Sequence, residues 1–123
     1  MQAQDFFKAE NIEAANGGFM CESWEIPPEL EYFDGHFPHL PVLPAVAIID
    51  ISLALLKKAQ PHSTGALLKV PAAKFMQPLT PKRKVRIQAT PTKLSEGVNA
   101  WAIEWLDAHS LEVMAQLLLH VGC

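Results

Sequence analysis

An imidazole and a carboxylate fourteen residues apart, His36 and Asp50, are the side chains of this chain best suited to move protons on a substrate. His36 stands in Gly35-His36-Phe37-Pro38-His39-Leu40-Pro41-Val42-Leu43-Pro44-Ala45-Val46. The prolines and the glycine restrict that backbone and prevent helix or ladder formation, so the histidine is carried on a stiff loop. Imidazole titrates near neutrality and suits a general base. Asp50 falls in the run from Ala45 to Leu56, whose only other polar residue is Ser52. That pattern predicts a helix apolar nearly all round and enclosed by the fold. An ionised carboxylate there is costly unless paired or protonated. Together the two residues form the pattern of an acid/base pair. Two plainer readings stay open: a histidine bonded to a backbone carbonyl, and an aspartate paired with a core lysine or capping a loop. Asp34, His36 and His39 lack the further ligands and the spacing of a metal site.

The elements that must position these residues follow from periodicity. A helix is predicted over 44–59, with Pro44 in its first turn and Lys57-Lys58 at its C-terminus, before Pro61 and Gly65. Residues 5–15 read as a short strand, and Phe19 to Ile26 as a strand bounded by Gly17-Gly18 and Pro27-Pro28. Ala66 to Met76 follows, then Val85, Ile87 and Ala89 alternating with Arg86 and Gln88 up to Pro91. Val98 to Leu106 carries Trp101, Ile103 and Trp105 at period two, which places both indoles in the core. Leu111, Val113, Ala115, Leu117, Leu119 and Val121 alternate most clearly, with Asp107 to Ser110 as the preceding hairpin turn. His62, His109 and His120 fall at turns or on a polar strand face and carry no predicted role. One apolar helix with strands before it and four after it predicts an α+β fold, an antiparallel sheet wrapped around a central helix. A sheet this small leaves an edge strand exposed, so edge-to-edge pairing in a dimer is expected.

Composition narrows the class. At 123 residues, 50% hydrophobic and 19% charged, the chain reads as one globular domain spanning 1–123. Its net charge of −3 gives no reason to expect nucleic acid. The charge is unevenly placed: residues 1–56 hold one Lys against nine acids, and 57–123 hold nine Lys or Arg against four. Cys21 and Cys123 make neither a disulfide framework nor a metal spacing, which fits a reducing cytoplasm. No basic-then-apolar leader is visible at the N-terminus, and the run from Val42 to Leu56 is too short to span a membrane.

Tyr32-Phe33-Asp34-Gly35-His36-Phe37-Pro38, then Pro41-Val42-Leu43-Pro44-Ala45-Val46, then Asp50, resembles the 3-hydroxyacyl-[acyl-carrier-protein] dehydratases of the hotdog fold. Their pattern is G-H-F-P-G-x-P-[VIL]-x-P-G-[VC], with Glu or Asp fourteen residues after the histidine. The stretch from Ala73 to Pro81 looks like the family's F-x-x-P-[VL]-x-P-G-D. His39 and Ala45 stand where the family has glycines, Lys82-Arg83 where it has Gly-Asp, and Ala54 where housekeeping members carry Gln. Those departures are closer to small specialised dehydratases such as those of aryl-polyene pathways.

The resemblance implies His36 as base and Asp50 as acid, or as holder of the water that is. It also implies the backbone amide of Ala45 as the donor that polarises the thioester carbonyl. It implies an obligatory homodimer or higher homo-oligomer with sites at the subunit interface, an apolar acyl tunnel along the helix, and no cofactor or metal. The partner it implies is an acyl carrier protein presenting its substrate on a phosphopantetheine arm, and Lys82, Arg83, Lys84 and Arg86 are the candidate docking cluster for that acidic protein. A hotdog acyl thioesterase and a non-catalytic acyl-thioester-binding homologue are the alternatives. The bare sequence leaves chain length, isomerase activity and assembly size open.

Overall fold

A computed structural model of the chain describes residues 6–34, 41–62, 64–92 and 97–122. Six strands form one antiparallel sheet: β1 (Ile12–Ala15), β2 (Gly18–Glu25), β3 (Leu67–Phe75), β4 (Lys84–Thr92), β5 (Val98–Asp107) and β6 (Val113–Gly122). Their spatial order is β1-β2-β4-β5-β6-β3. Among the described residues the single α-helix, α1 (Ala45–Ala59), separates β2 from β3 in the chain. The strand–helix–strand order, the antiparallel pairing and the α+β class agree with the sequence-based expectation. The region 5–15 contributes less strand than expected, because a 3-10 turn at Ala9–Asn11 precedes the short β1.

Period-two alternation explains how the sheet meets the helix. Val85, Ile87 and Ala89 of β4 and Trp101, Ile103 and Trp105 of β5 are buried, while Arg86, Gln88, Ala102 and Glu104 between them are half-buried. Trp105 is fully enclosed, and its Nε1 donates to Ser52 Oγ of α1 at 2.9 Å. Ser52 Oγ in turn donates to Ile48 O at 2.7 Å, so the one polar side chain on the buried face of α1 is satisfied. Trp24 of β2 meets Trp105 edge to face at 6.1 Å between ring centroids and donates its own Nε1 to Phe6 O.

Two expectations are corrected. Helix α1 is not enclosed all round: Ala47, Ile48, Ile51, Ala54, Leu55 and Leu56 face the sheet, whereas Val46, Ile49, Asp50 and Leu53 form a stripe left half-buried or exposed. The helix is apolar on both faces, but one sheet covers only one of them. Leu111, taken as the start of the last alternating strand, instead ends the turn with φ 64° and is exposed. A register shift at Trp105/Leu106 then leaves Met114 and Ala115 both buried before the alternation resumes.

Asp107 organises that turn. Its Oδ1 accepts the His109 and Ser110 amides at 2.9 and 2.8 Å, and its Oδ2 accepts Arg83 Nη2 at 3.0 Å. The Ser110 and His109 amide bonds first, and then Arg83, hold its carboxyl at about 2, below the ordinary 3.8. A depressed carboxylate stabilises the fold fully above the unfolded value and loses that contribution as pH falls through the folded one. Wild-type protein is therefore expected to lose melting temperature between about pH 4 and pH 2 more steeply than Asp107→Ala. Thermal melts across that range check this, and parallel curves for the two proteins would refute it.

Candidate functional site

The N-terminus of α1 is where the two separated motif stretches meet. Pro44 caps the helix in an extended conformation, and its carbonyl accepts the Ala47 and Ile48 amides at 3.0 and 3.2 Å. The first helical amides, Ala45 and Val46, precede the repeating intrahelical ladder and so point their N–H groups out of the helix end. Leu43 N donates to Leu79 O at 2.9 Å, which ties the Pro41–Pro44 segment to the Gln77–Pro81 loop. Met76 and Gln77 are held in turn by Met114 O. Between these segments lies an open hollow of about 340 Å³ lined by Val42, Ala45, Ile48, Phe75, Met76 and Pro78 among others. Phe75 and Met76 are large apolar side chains left exposed there, as is Val46 on the helix. Ala45 itself is exposed.

Asp50 lies one turn beyond Val46 on the half-covered face of α1, not enclosed among the apolar residues as the sequence suggested. The cause is the one-sided packing of the helix. Its carboxylate is nonetheless partnered: Tyr32 Oη donates to Oδ2 at 3.2 Å. Tyr32 belongs to a 3-10 turn, Glu31–Phe33, pinned by the buried Leu30 and Phe33. Burial, and then the charge and hydrogen bond of Asp50, push the Tyr32 phenol above its ordinary value. Tyr32 was visible in the motif but carried no predicted role. The only signal available was that an acid on an apolar helix needs a partner and that the motif offers a nearby hydroxyl. His36, with His39 and the rest of 35–40, lies outside the described residues.

The four basic candidates divide into two kinds. Arg83 pairs with Asp107 at 3.0 Å and Arg86 faces Glu22 at 3.7 Å, both half-buried on the sheet. Lys82 and Lys84 are exposed. Lys82, which stands where the resembled family's pattern has glycine, adopts φ 68°, a left-handed conformation that costs roughly 1–2 kcal/mol for a residue with a side chain. The turn thus survives the loss of its glycine. Lys82 N donates to Ile26 O and Ile26 N to Arg83 O, fixing this turn to the end of β2. Three residues separate Lys82 from Leu79, so the exposed lysine stands within ~11 Å along the chain of the loop that lines the hollow. Among the described residues no helix is long and apolar enough to cross a membrane.

Comparison with known proteins gives a consistent result. The model of the ApeI-like family, described as ApeI dehydratase, matches residues 13–109. The 3-hydroxyacyl-[acyl-carrier-protein] dehydratase FabZ of Janthinobacterium sp. (strain Marseille) is 29% identical over 77 residues. That alignment takes in 55% of this chain and 49% of the relative, so the match spans about half the length of the curated protein. Among solved structures, the dehydratase heterocomplex ApeI:P from Xenorhabdus doucetiae superposes with a TM-score of 0.69 at 20% identity. It covers 90% of this chain and 92% of that one. Thioesterase superfamily member 2 from Mus musculus superposes with a TM-score of 0.70 at 13% identity, covering 90% and 84%. Both likenesses establish the hotdog fold.

Proposed function

Because the chain belongs to the ApeI-like dehydratase family, we propose that it removes water from a 3-hydroxyacyl thioester, carried on an acyl carrier protein, to give the trans-2-enoyl thioester. The observation that carries this reading is that the family match over 13–109 takes in both His36 and Asp50 at their fourteen-residue spacing. Fatty-acid or polyene-type biosynthesis is the setting that such a product implies.

His36 takes the proton from C2 of the acyl group. The C2–H electron pair becomes the new C2–C3 double bond as the C3–O bond breaks, and Asp50 gives its proton to the departing hydroxyl so that it leaves as water. Negative charge builds on the thioester oxygen as C2 loses its proton, and the outward-facing amide of Ala45 at the helix end is a suitable donor to it. The hollow beside Ala45, bordered by Phe75, Met76 and Pro78, accepts the thioester end of the substrate. No metal or cofactor enters this scheme.

Two uncovered surfaces support assembly with a second hotdog chain, either another copy or a second dehydratase chain. Strand β3 is the sheet's outer strand beyond β6, exposed along most of its length with Leu68 and Phe75 outward. The stripe of Val46, Ile49 and Leu53 leaves apolar area on α1 unsheltered beside Asp50. A second chain over both would exclude water from the site. Lys82 and Lys84 serve as the docking contacts for the acidic carrier, with Arg83 and Arg86 engaged in their own ion pairs.

Ultraviolet absorbance of purified protein with short 3-hydroxyacyl thioesters, carrier-bound ones included, tests the reaction. Enoyl formation is the expected result. Thiol release without enoyl signal would mark a thioesterase instead, and neither signal would mark a binding protein. For the docking surface, Lys82→Glu with Lys84→Glu is expected to raise KM for the carrier-bound substrate about tenfold or more at low salt while leaving a small thioester analogue within about twofold. Equal effects on both substrates would place docking elsewhere.

A further inference from the structure

The acid of the proposed reaction is not held by its own helix. Asp50 projects from the half-open face of α1, where a short carboxylate has two free side-chain torsions and no neighbouring turn to lock them. Among the described residues, the side chain that reaches it comes from a different element, the 3-10 turn Glu31–Phe33, eighteen residues earlier. That turn is rigidly seated. Leu30 and Phe33 are buried on either side of Tyr32, and Phe33 N and Asp34 N close it on Leu30 O and Glu31 O at 3.1 and 3.0 Å. The hydroxyl is therefore presented from a fixed platform.

We propose that Tyr32 is the positioning residue of the site: its hydroxyl fixes Oδ2 of Asp50 at 3.2 Å, so that Oδ1 is the oxygen turned to the substrate's hydroxyl. This rests on the dehydratase reading for its chemistry but not for its geometry. A carboxyl group transfers its proton efficiently only when one oxygen is held on line with the leaving group, and a hydrogen bond to the other oxygen removes the rotation that would misalign it. Tyr32 also lines an open hollow with Phe6, Glu29, Leu30 and Glu31. Burial together with Asp50 raises the phenol, which keeps the hydroxyl in its donating form at any working pH. A second observation makes the pair unusually easy to watch: Tyr32 is the only tyrosine in the chain.

Carbon-13 labelling at tyrosine Cζ gives a single resonance, recorded at neutral pH in wild-type protein and in Asp50→Asn. The resonance is expected to move when the carboxyl acceptor is replaced by an amide, and an unmoved resonance would overturn the pairing whether or not the protein is a dehydratase. Kinetically, Tyr32→Phe is expected to lower kcat about tenfold with KM within about twofold and an unchanged melting temperature. In the Asp50→Asn background the same substitution is expected to cost nothing further. Wild-type kcat in Tyr32→Phe, or a full additional loss on top of Asp50→Asn, would overturn the positioning role. Absence of enoyl product from the wild type would instead sink the dehydratase reading and leave the resonance experiment to decide the pairing.

Discussion

Asp50→Asn is expected to lower the rate of enoyl formation by about 10²–10⁴, and His36→Ala by a similar factor, the range that general acid–base groups contribute. Each carries one half of the elimination, and neither half proceeds without the other. The double variant should therefore fall no lower than the more damaging single one. Stability should hardly change in Asp50→Asn. The side chain sits on the half-covered face of α1, the amide is nearly isosteric, and its oxygen still accepts from Tyr32 Oη. Circular dichroism melts beside the absorbance assay separate a chemical defect from a folding one. An Asp50→Asn enzyme retaining a third of wild-type turnover would remove this residue from the mechanism.

The largest expected effect on folding comes from Trp105→Ala, about 3–5 kcal/mol of destabilisation in urea unfolding. Trp105 has no solvent exposure and stands where β5 meets the buried face of α1. Truncation opens a cavity between sheet and helix and deprives Trp24 of its edge-to-face partner. It also removes the indole N–H from Ser52 Oγ, in the middle of the helix that carries Asp50. Trp105→Phe fills most of the space and isolates the hydrogen bond, so it should cost clearly less. A loss below about 1 kcal/mol for the alanine variant would mean that the core collapses freely around the gap, contrary to its close packing.

Most of the fold was legible in the sequence because its signals are local. Alternation in β4 and β5 follows from residues two apart, and α1 from an unbroken apolar run closed by Lys57-Lys58. Two features were hidden for physical reasons. A helix apolar on both faces does not announce which face the sheet will cover, so Asp50 was expected inside and lies half outside. Leu111 kept perfect phase with the strand after it, yet the two amides captured by Asp107 set the turn, and the register shift consumed the phase. Of the candidate site, spacing pointed to Asp50 and the family resemblance to Ala45, while His36 lies outside the described residues. The Tyr32–Asp50 bond joins a loop residue to a helix residue across eighteen positions, and no periodicity links two such elements. The departures from the family pattern also acquire meaning in three dimensions. Lys82 adopts φ 68° where the pattern has glycine and adds a charge three residues from Leu79, which lines the hollow.

Strand β3 carries Pro71 in its middle, and its ladder with β6 slips in register at Leu67/Lys69 and again at Lys69/Ala72. Proline has no amide hydrogen to offer and is confined in sheets to outer strands and bulges. The unguarded margin of this sheet is thus a broken template and not a continuous row of donors and acceptors. It offers a neighbouring chain a few well-placed hydrogen bonds and then stops. An apolar strand so exposed would ordinarily invite open-ended stacking of copies into fibres. The interruption works against continuation of the sheet through copy after copy.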